Sequence, residues 1–216
     1  MDKKIMFYID LLTERYPVLS VCKDKIIEAY KILEECYAKG HKLLIAGNGG
    51  SCADSEHIVG ELMKGFKLPR QSSAEFAEKL KETDALRGVE LAEKLQGGLP
   101  AIALTGHQGL STAYINDVQN GGLLAYAQQV NGYGQEGDVL LGISTSGNSK
   151  NVMYATVVAR AKRMKVIGLT GKSGGELANV SDVAIKVPET ETYMIQELHL
   201  PVYHCLCLML EERFFG

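Results

Sequence analysis

The sequence predicts an α/β protein whose mostly parallel sheet is covered by helices on both faces. Beyond residue 40, short apolar runs alternate with longer segments whose apolar residues recur at helical spacing. Several of the short runs end in Gly, Ser or Thr, which indicates strands that lead directly into loops. Such alternation is typical of βαβ units, which bury parallel strands at the centre of a domain. Ligands of these domains bind outside the carboxyl ends of the strands, so chemistry is expected in the loops that follow them.

The expected elements divide the chain into an N-terminal helical part and one α/β domain. Residues 1–40 contain two helices, at 3–15 and 20–38, and residues 41–216 form the domain. The charge-rich segment 68–98 is interpreted as a solvated helical insertion, although helices packed over the site or a flexible excursion would have a similar composition. Strands are expected at 42–46, 101–104, 139–143, 166–169 and 183–187, and further helices at 53–64, 149–163 and 193–214.

Composition argues against several classes of function. The 216 residues carry a formal net charge of -3, which offers no general basic surface for nucleic acid. No uninterrupted apolar stretch is long enough to cross a bilayer, and Asp10 interrupts the apolar start, which favours an amphipathic helix over a signal peptide. The five cysteines are odd in number and lack CxxC spacing. We therefore expect reduced thiols in a cytoplasmic protein, without a disulfide framework or a structural zinc site.

The first candidate loop is rich in glycine. Asn48, Gly49, Gly50 and Ser51 follow the first predicted strand, and a helix is expected just beyond them. Glycine lets the backbone approach a ligand closely, and the free N–H groups at the start of a helix attract an anion. A tight turn without any ligand would use the same residues, so this loop alone leaves both interpretations open.

The third predicted strand leads into a loop that is rich in hydroxyl groups. Ser144, Thr145, Ser146 and Ser149 place four hydroxyls in six residues, just ahead of a predicted helix. A helix cap needs only one hydroxyl, so the surplus favours a phosphate held by neutral hydroxyl and backbone N–H donors. Neither the P-loop sequence GxxxxGK[ST] nor a GxGxxG fingerprint after the first strand is present, and we expect no nucleotide cofactor.

Two groups of ionisable residues lie on predicted helices. His57 and Glu61 are four residues apart and share one helical face, as an acid–base pair, two metal ligands or an ordinary surface pair would. The last helix carries His204, with Glu197 seven residues and Gln196 eight residues before it. Helical geometry alone favours Glu197 as the partner of His204, because seven residues return close to the same face.

Together these motifs resemble those of the SIS family, and within it the phosphoheptose isomerases. The matching blocks occur in the order that the family has, and they span most of the chain from residue 46 onward. The last three blocks are the most specific. The blocks are AGNGGS at 46–51, HIVGEL at 57–62, Asn-Asp at 116–117, GDVLLGISTSGNS at 137–149 and IQELHLPVYH at 195–204.

The resemblance implies a flavodoxin-like domain with added N-terminal helices, assembled as a homotetramer with active sites between subunits. It implies aldose–ketose isomerisation of sedoheptulose 7-phosphate to D-glycero-D-manno-heptose 7-phosphate through an enediol, with Glu61 and His204 transferring protons. A zinc site would consist of His57, Glu61, Gln196 and His204, so the resemblance selects Gln196 where helical geometry selects Glu197. The implied substrate-binding residues are Asn48, Gly49, Gly50, Ser51, Asn116, Asp117, Ser144, Thr145, Ser146, Ser149 and Gln196.

Two segments depart from the family and leave the substrate open. Segment 68–98 is longer and more charged, and segment 106–118 keeps Asn-Asp in different surroundings. A SIS enzyme that acts on another phosphosugar is therefore one alternative. A non-catalytic SIS module that binds a phosphosugar or a protein partner is another, because fold does not fix function. The presence of both Glu61 and His204 favours an enzyme.

Overall fold

A five-stranded parallel sheet forms the centre of the structure, a computed structural model that describes residues 2–216. The strands are β1 (Leu43–Gly47), β2 (Ala101–Ala103), β3 (Val139–Ser144), β4 (Lys165–Thr170) and β5 (Val183–Lys186). Their order is β2-β1-β3-β4-β5, and every neighbouring pair is parallel. This is the flavodoxin-like order, in which the direction of winding reverses between β1 and β3. The predicted fold class is confirmed.

Helices cover both faces of this sheet. A short 3₁₀ helix, Pro17–Cys22, joins the first two α-helices, because Pro17 cannot continue the first. The α-helices are α1 (Lys3–Arg15), α2 (Lys23–Ala38), α3 (Gly50–Met63), α4 (Ala74–Thr83), α5 (Arg87–Lys94), α6 (Gln108–Asp117), α7 (Gly121–Tyr133), α8 (Lys150–Ala161), α9 (Gly175–Val180) and α10 (Thr192–Phe215).

Alternation along β1 sorts its side chains into two cores. Leu43 and Ile45 belong to the core that includes α1, α2, α3 and α10, whereas Leu44 and Ala46 belong to the core under α7 and α8. All five residues of β1 are buried, as expected for a parallel strand that is covered on both sides. The same packing brings α3 beside α10, which positions the ionisable residues of both helices.

Three helices, α6, α7 and α9, were not predicted from the sequence, and α3 begins earlier than predicted. No residue of α6 is buried, so no apolar stripe marks that helix in the sequence. The three glycines of α7 lower its intrinsic helix propensity, and α9 has only six residues. The helix predicted from residue 53 starts at Gly50, so the glycine-rich loop runs directly into the first turn of α3.

The charge-rich segment forms a helical hairpin of α4 and α5. No side chain of α4 is buried, and in α5 only Gly88 is buried, where the two helices approach most closely. Gln71 and Gln96 pair in antiparallel fashion at the base of the hairpin, and the Gly97 N–H donates to the Arg70 carbonyl at 2.8 Å. The hairpin therefore stands on a narrow base and is solvated along its length.

The state of the cysteines and the polarity of the helices can be compared with what the composition leads us to expect. All five cysteines are free thiols, and all except Cys52 are buried. Burial raises the pKa of Cys22 to about 11, so this thiol stays protonated at neutral pH. Within residues 2–216, every helix is too short or too polar to span a membrane.

Candidate active site

The two candidate loops meet where the winding of the sheet reverses. β1 and β3 are neighbours, and their carboxyl ends lead into the glycine-rich and the hydroxyl-rich loop. Asn48 of the first loop and Asn151 of α8 exchange two amide hydrogen bonds, of 2.9 and 2.8 Å, across the gap. Doubly wound sheets bind their ligands in this crevice, so the fold places both loops at the expected binding position.

The glycine-rich loop needs its glycines for two separate reasons. Gly49 has a φ of 56°, a left-handed conformation that side chains disfavour. Gly50 lies against the carboxamide of Gln196, and a Cβ at Gly50 would lie 2.5 Å from Gln196 Nε2. Ser51 is buried, whereas Asn48, Gly49 and Gly50 are exposed. Exposed backbone at the start of α3 is available to an anionic ligand.

The hydroxyl-rich loop is held in place by its own polar groups. Ser144 Oγ and Ser149 Oγ are 2.9 Å apart, which links the end of β3 to the residue just before α8. Asn148 donates to the Ser146 carbonyl at 3.1 Å and accepts from the Glu176 N–H at 3.0 Å, which ties the loop to α9. This network gives the loop a fixed shape before any ligand arrives.

Sequence reasoning missed Lys172, which lies beside this loop. Thr145, Ser146, Lys172 and Ser173 line a cavity of about 260 Å³ between the loops that follow β3 and β4. Lys172 has no carboxylate partner within 4.0 Å among residues 2–216. The signal in the sequence that could have identified Lys172 was its position just after a predicted strand. The loop around it has a composition typical of an ordinary turn.

His57, Glu61 and His204 come together within one chain. His57 Nε2 lies 3.2 Å from Glu61 Oε1 and 3.5 Å from His204 Nε2. Phe66 packs on the His204 ring, with 5.3 Å between ring centroids. Desolvation and the neighbouring His57 lower the pKa of His204, against the opposing effect of Glu61. His204 is therefore mostly neutral at pH 7, and a neutral imidazole can accept or donate a proton.

Two further residues that the sequence did not suggest extend this cluster. Tyr203 OH lies 3.0 Å from His57 Nδ1 and donates to Asp54 Oδ1 at 3.1 Å. Burial raises the pKa of Asp54, and the hydrogen bond from Tyr203 and the nearby His57 partly oppose this. Asp54 and Tyr203 lie on different helices, so only the packing of α3 on α10 reveals their contact.

Gln196 lies apart from the cluster in the same chain. Its carboxamide contacts Gly50, and the separation of eight positions from His204 corresponds to about 12 Å along α10. Glu197, which helical geometry alone favours, is exposed. Gln196 therefore faces the glycine-rich loop, whereas its roles in substrate binding and in a metal site with His57, Glu61 and His204 stay predictions.

Asn116 and Asp117 occupy the last positions of α6, which follows the edge strand β2. Both residues are exposed, and the Asn116 amide donates to the Asp117 carboxylate at 2.9 Å. That is the one hydrogen bond of either side chain within residues 2–216. Their proposed contact with the sugar stays a prediction.

The ionisable cluster suits zinc in its chemistry. Imidazole nitrogens and carboxylate oxygens are common zinc ligands, and ligand atoms around a tetrahedral zinc are about 3.3 Å apart. The separations of His57 Nε2 from Glu61 and from His204, 3.2 and 3.5 Å, agree with this spacing. Within residues 2–216 no group of three or more His, Cys, Asp or Glu side chains is already arranged to hold a metal. The donor types fit zinc, but a complete ligand set is not preformed in one chain.

Comparison with known proteins defines first the class and then the family. The SIS domain family matches residues 80–171, a range that contains the hydroxyl-rich loop. The phosphoheptose isomerase of Geotalea daltonii is 39% identical over 192 residues, 89% of this chain and 85% of the relative. The corresponding protein of Geobacter sulfurreducens is 37% identical over 191 residues, 88% of this chain and 86% of the relative.

Solved structures give the same result. A phosphoheptose isomerase from Francisella tularensis is 32% identical, with a TM-score of 0.74 over 97% of both chains. The phosphoheptose isomerase of Neisseria gonorrhoeae is also 32% identical, with a TM-score of 0.70 over 89% of this chain and 88% of the other. The chain belongs to the phosphoheptose isomerase family, whose members are sugar-phosphate isomerases.

Proposed function

We propose that this chain converts sedoheptulose 7-phosphate to D-glycero-D-manno-heptose 7-phosphate. The observation that carries the proposal is the meeting of Glu61 and His204 around His57, with separations of 3.2 and 3.5 Å, in a member of an isomerase family. Aldose–ketose isomerisation needs a base and an acid at adjacent carbons. A carboxylate beside a neutral imidazole supplies both.

The proposed reaction proceeds through an enediol. The Glu61 carboxylate removes a proton from C1 of the ketose, and His204 donates a proton to the carbonyl oxygen on C2, which gives the 1,2-enediol. The proton is then delivered to C2 while the C1 hydroxyl loses its proton and becomes the aldehyde oxygen. The lowered pKa of His204 suits this role, because the ring can exchange protons near neutral pH.

The phosphate is assigned to the hydroxyl-rich loop. Ser144, Thr145, Ser146 and Ser149 offer neutral donors at the start of α8, where the helix dipole also favours an anion. A chain with a net charge of -3 needs such local donors, since it has no broad positive field. Binding at the phosphate, remote from the reacting carbons, would orient C1 and C2 at the acid–base pair.

Zinc is proposed as a cofactor of this site. His57, Glu61 and His204 would hold it, with Gln196 as the further ligand implied by the resemblance. A zinc ion bound there would polarise the sugar carbonyl. The remaining functions, orientation of the sugar and movement of protons, belong to the side chains themselves.

Distances within one chain support active sites that are shared between subunits of a homotetramer. Gly50 and Glu61 lie at opposite ends of α3, about 16 Å apart along the helix. An extended seven-carbon sugar phosphate spans only roughly 10 Å, at about 1.2 Å per bond. The hydroxyl-rich loop lies beside the glycine-rich loop, to which the Asn48–Asn151 contact joins it. We therefore assign Glu61 and the hydroxyl-rich loop of each site to neighbouring subunits. We place the protein in the cytoplasm.

The proposal is tested by turnover of sedoheptulose 7-phosphate by the purified protein, with and without added zinc. Appearance of the heptose 7-phosphate is the expected result. Turnover of a different ketose phosphate instead would change the assigned substrate but keep the enzyme class. Because segments 68–98 and 106–118 depart from the family, a panel of sugar phosphates should be assayed as well. Binding of sugar phosphates without turnover of any would favour a sensor and contradict the proposal.

A further inference from the structure

A chain of hydrogen bonds links the protein interior to the ring of His57. Asp54 Oδ1 accepts from Tyr203 OH at 3.1 Å, and Tyr203 OH lies 3.0 Å from His57 Nδ1. Tyr203 is 2% exposed, so its hydroxyl is shielded from water. On the other side of the ring, Nε2 faces Glu61 and His204.

The positions of the protons follow from what each group can do. An ionised carboxylate can only accept, so the Tyr203 proton is committed to Asp54. The Tyr203 oxygen then faces His57 Nδ1 as an acceptor, and Nδ1 must carry a hydrogen to complete the bond. In a neutral imidazole the other nitrogen, Nε2, is left with a lone pair.

We propose that Asp54 and Tyr203 are positioning residues that hold His57 as the Nδ1–H tautomer, with the Nε2 lone pair directed at Glu61 and His204. A role in packing alone is a weaker account. Asp54 Oδ2 is buried without a hydrogen-bond partner within residues 2–216, and two apolar side chains at positions 54 and 203 would fill the same space without that cost. Partners that orient the remote nitrogen of a histidine are common where the near nitrogen binds a metal or a proton.

The inference deepens the proposed function, because the oriented lone pair belongs to the proposed site. The Glu61 carboxylate, 3.2 Å from Nε2, favours a hydrogen on that nitrogen, so in metal-free protein it competes with Tyr203 for the tautomer of His57. A ring held as Nδ1–H keeps its Nε2 lone pair ready to receive a proton or a cation. The tautomer itself is a property of the protein alone and does not depend on which sugar reacts.

The direct test is the tautomer of His57 in metal-free protein labelled with ¹⁵N-histidine. Correlation spectra that connect ring protons to both ring nitrogens, recorded at about pH 8, should give mainly Nδ1–H for wild type. Tyr203→Phe should shift His57 towards Nε2–H, because the acceptor for the Nδ1 hydrogen is gone. Asp54→Leu should shift it in the same direction, because it removes the acceptor of the Tyr203 hydrogen, and this variant keeps the packing of Tyr203 if Tyr203→Phe does not fold.

A matched control is Tyr37→Phe. Tyr37 is also buried, and its hydroxyl has no hydrogen-bond partner within residues 2–216, so loss of that hydroxyl should leave the His57 spectrum unchanged. Zinc affinity, measured by competition with a chelator, should fall by roughly 10- to 100-fold in Tyr203→Phe and stay unchanged in Tyr37→Phe. These readouts remain interpretable even if sedoheptulose 7-phosphate proves not to be the substrate.

Two results would overturn the proposal. A wild-type His57 that is mainly Nε2–H would show that the hydrogen bond runs the other way. A Tyr203→Phe variant and an Asp54→Leu variant that both retain the wild-type tautomer would show that neither residue orients the ring. If the protein binds no zinc, the tautomer comparison alone decides.

Discussion

His199 is a buried ionisable group that the proposed mechanism does not use. It is 0% exposed, and neither ring nitrogen has a hydrogen-bond partner of normal geometry within residues 2–216. Burial lowers the pKa of His199 to about 4, which the backbone of Thr170 only partly opposes. The ring is neutral in the folded protein at pH 7, and protonation would place an unpaired charge in the core.

We expect the free energy of unfolding to fall as the pH is lowered from about 6.5 to about 4. The unfolded chain binds the proton of His199 first, so the stabilisation is complete above the unfolded pKa and is lost across that window. The shift corresponds to about 3 kcal/mol. Urea unfolding at a series of pH values measures this, and His199→Leu should flatten the curve.

His107→Asn serves as the control for His199→Leu, because His107 lies at the partly exposed start of α6. That variant should keep the pH dependence of wild type. A wild-type stability that stays constant across the window, or an equal slope in His199→Leu, would contradict the assignment.

Single residues of the site differed in how far the sequence could predict them. His57 and Glu61 were predictable as a pair because their spacing fixes them on one helical face. Helical geometry favours Glu197 as the partner of His204, but it does not tell which side chain of α10 faces Gly50. The approach of α3 to α10 decides that contact, and Gln196 makes it. Such contacts between helices leave no trace in local spacing.

At the scale of elements, α10 anchors the segment that follows α3. The Glu211 carboxylate accepts the backbone N–H groups of residues 66–68 at 2.8, 2.9 and 3.1 Å, and Arg70 Nε at 2.9 Å. Arg70 also donates to the carbonyls of Leu62 and Glu61, at 2.6 and 2.9 Å. The pair therefore fixes the last turn of α3, from which the Glu61 side chain extends.

Removal of the Arg70–Glu211 ion pair should be strongly destabilising. Arg70→Met leaves a buried Glu211 carboxylate without its cation. Because the Arg70 and Glu211 side chains are 0% and 1% exposed, water solvates the remaining charge poorly. The expected loss in the free energy of unfolding is about 3–5 kcal/mol. Arg213→Met is the control, since Arg213 and Glu34 are 47% and 30% exposed and their pair should contribute at most about 1 kcal/mol. Equal losses in urea unfolding of the two variants would contradict this account.

The α4–α5 hairpin should be dispensable for folding. Its side chains are almost entirely solvated, and its base is closed by the Gln71–Gln96 pair, so residues 73–94 can be replaced by a short glycine linker. The unfolding free energy should change by no more than about 1 kcal/mol, because little apolar surface is lost. Thermal unfolding measures this, and loss of the cooperative transition would show that the hairpin is part of the core.

Elements differed in predictability for a physical reason. Each strand was located to within about a residue, because a parallel strand buried on both faces is a continuous apolar run. The α4–α5 hairpin and α6 bury almost no side chains, so no apolar stripe marks them in the sequence. The composition of the hairpin still predicted helices there, whereas α6 was not predicted at all.

Active sites that are shared between subunits predict complementation between two inactive variants. Glu61→Gln and Ser144→Ala remove groups that we assign to neighbouring subunits of one site, so each variant alone should be nearly inactive. After the two are mixed by joint refolding or co-expression, about one site in four would contain both intact residues, by random pairing of subunits. Recovery to about a quarter of wild-type turnover is expected.

The residue patterns alone could not predict how the subunits assemble. An interface depends on which two surfaces meet, and a single sequence does not show this. No recovery in the mixed sample would place Glu61 and Ser144 of one site in the same chain and would contradict shared sites. Mixing each variant with itself is the control and should give no recovery.

The assignment of Glu61 as the base is tested by the rate of sedoheptulose 7-phosphate isomerisation by wild type, Glu61→Gln and Glu197→Gln. If Glu61 is the base, Glu61→Gln should lower kcat by about 10²- to 10⁴-fold with little change in KM. Glu197→Gln removes an exposed carboxylate on α10 and should turn over like wild type. Near-normal turnover by Glu61→Gln would contradict the account.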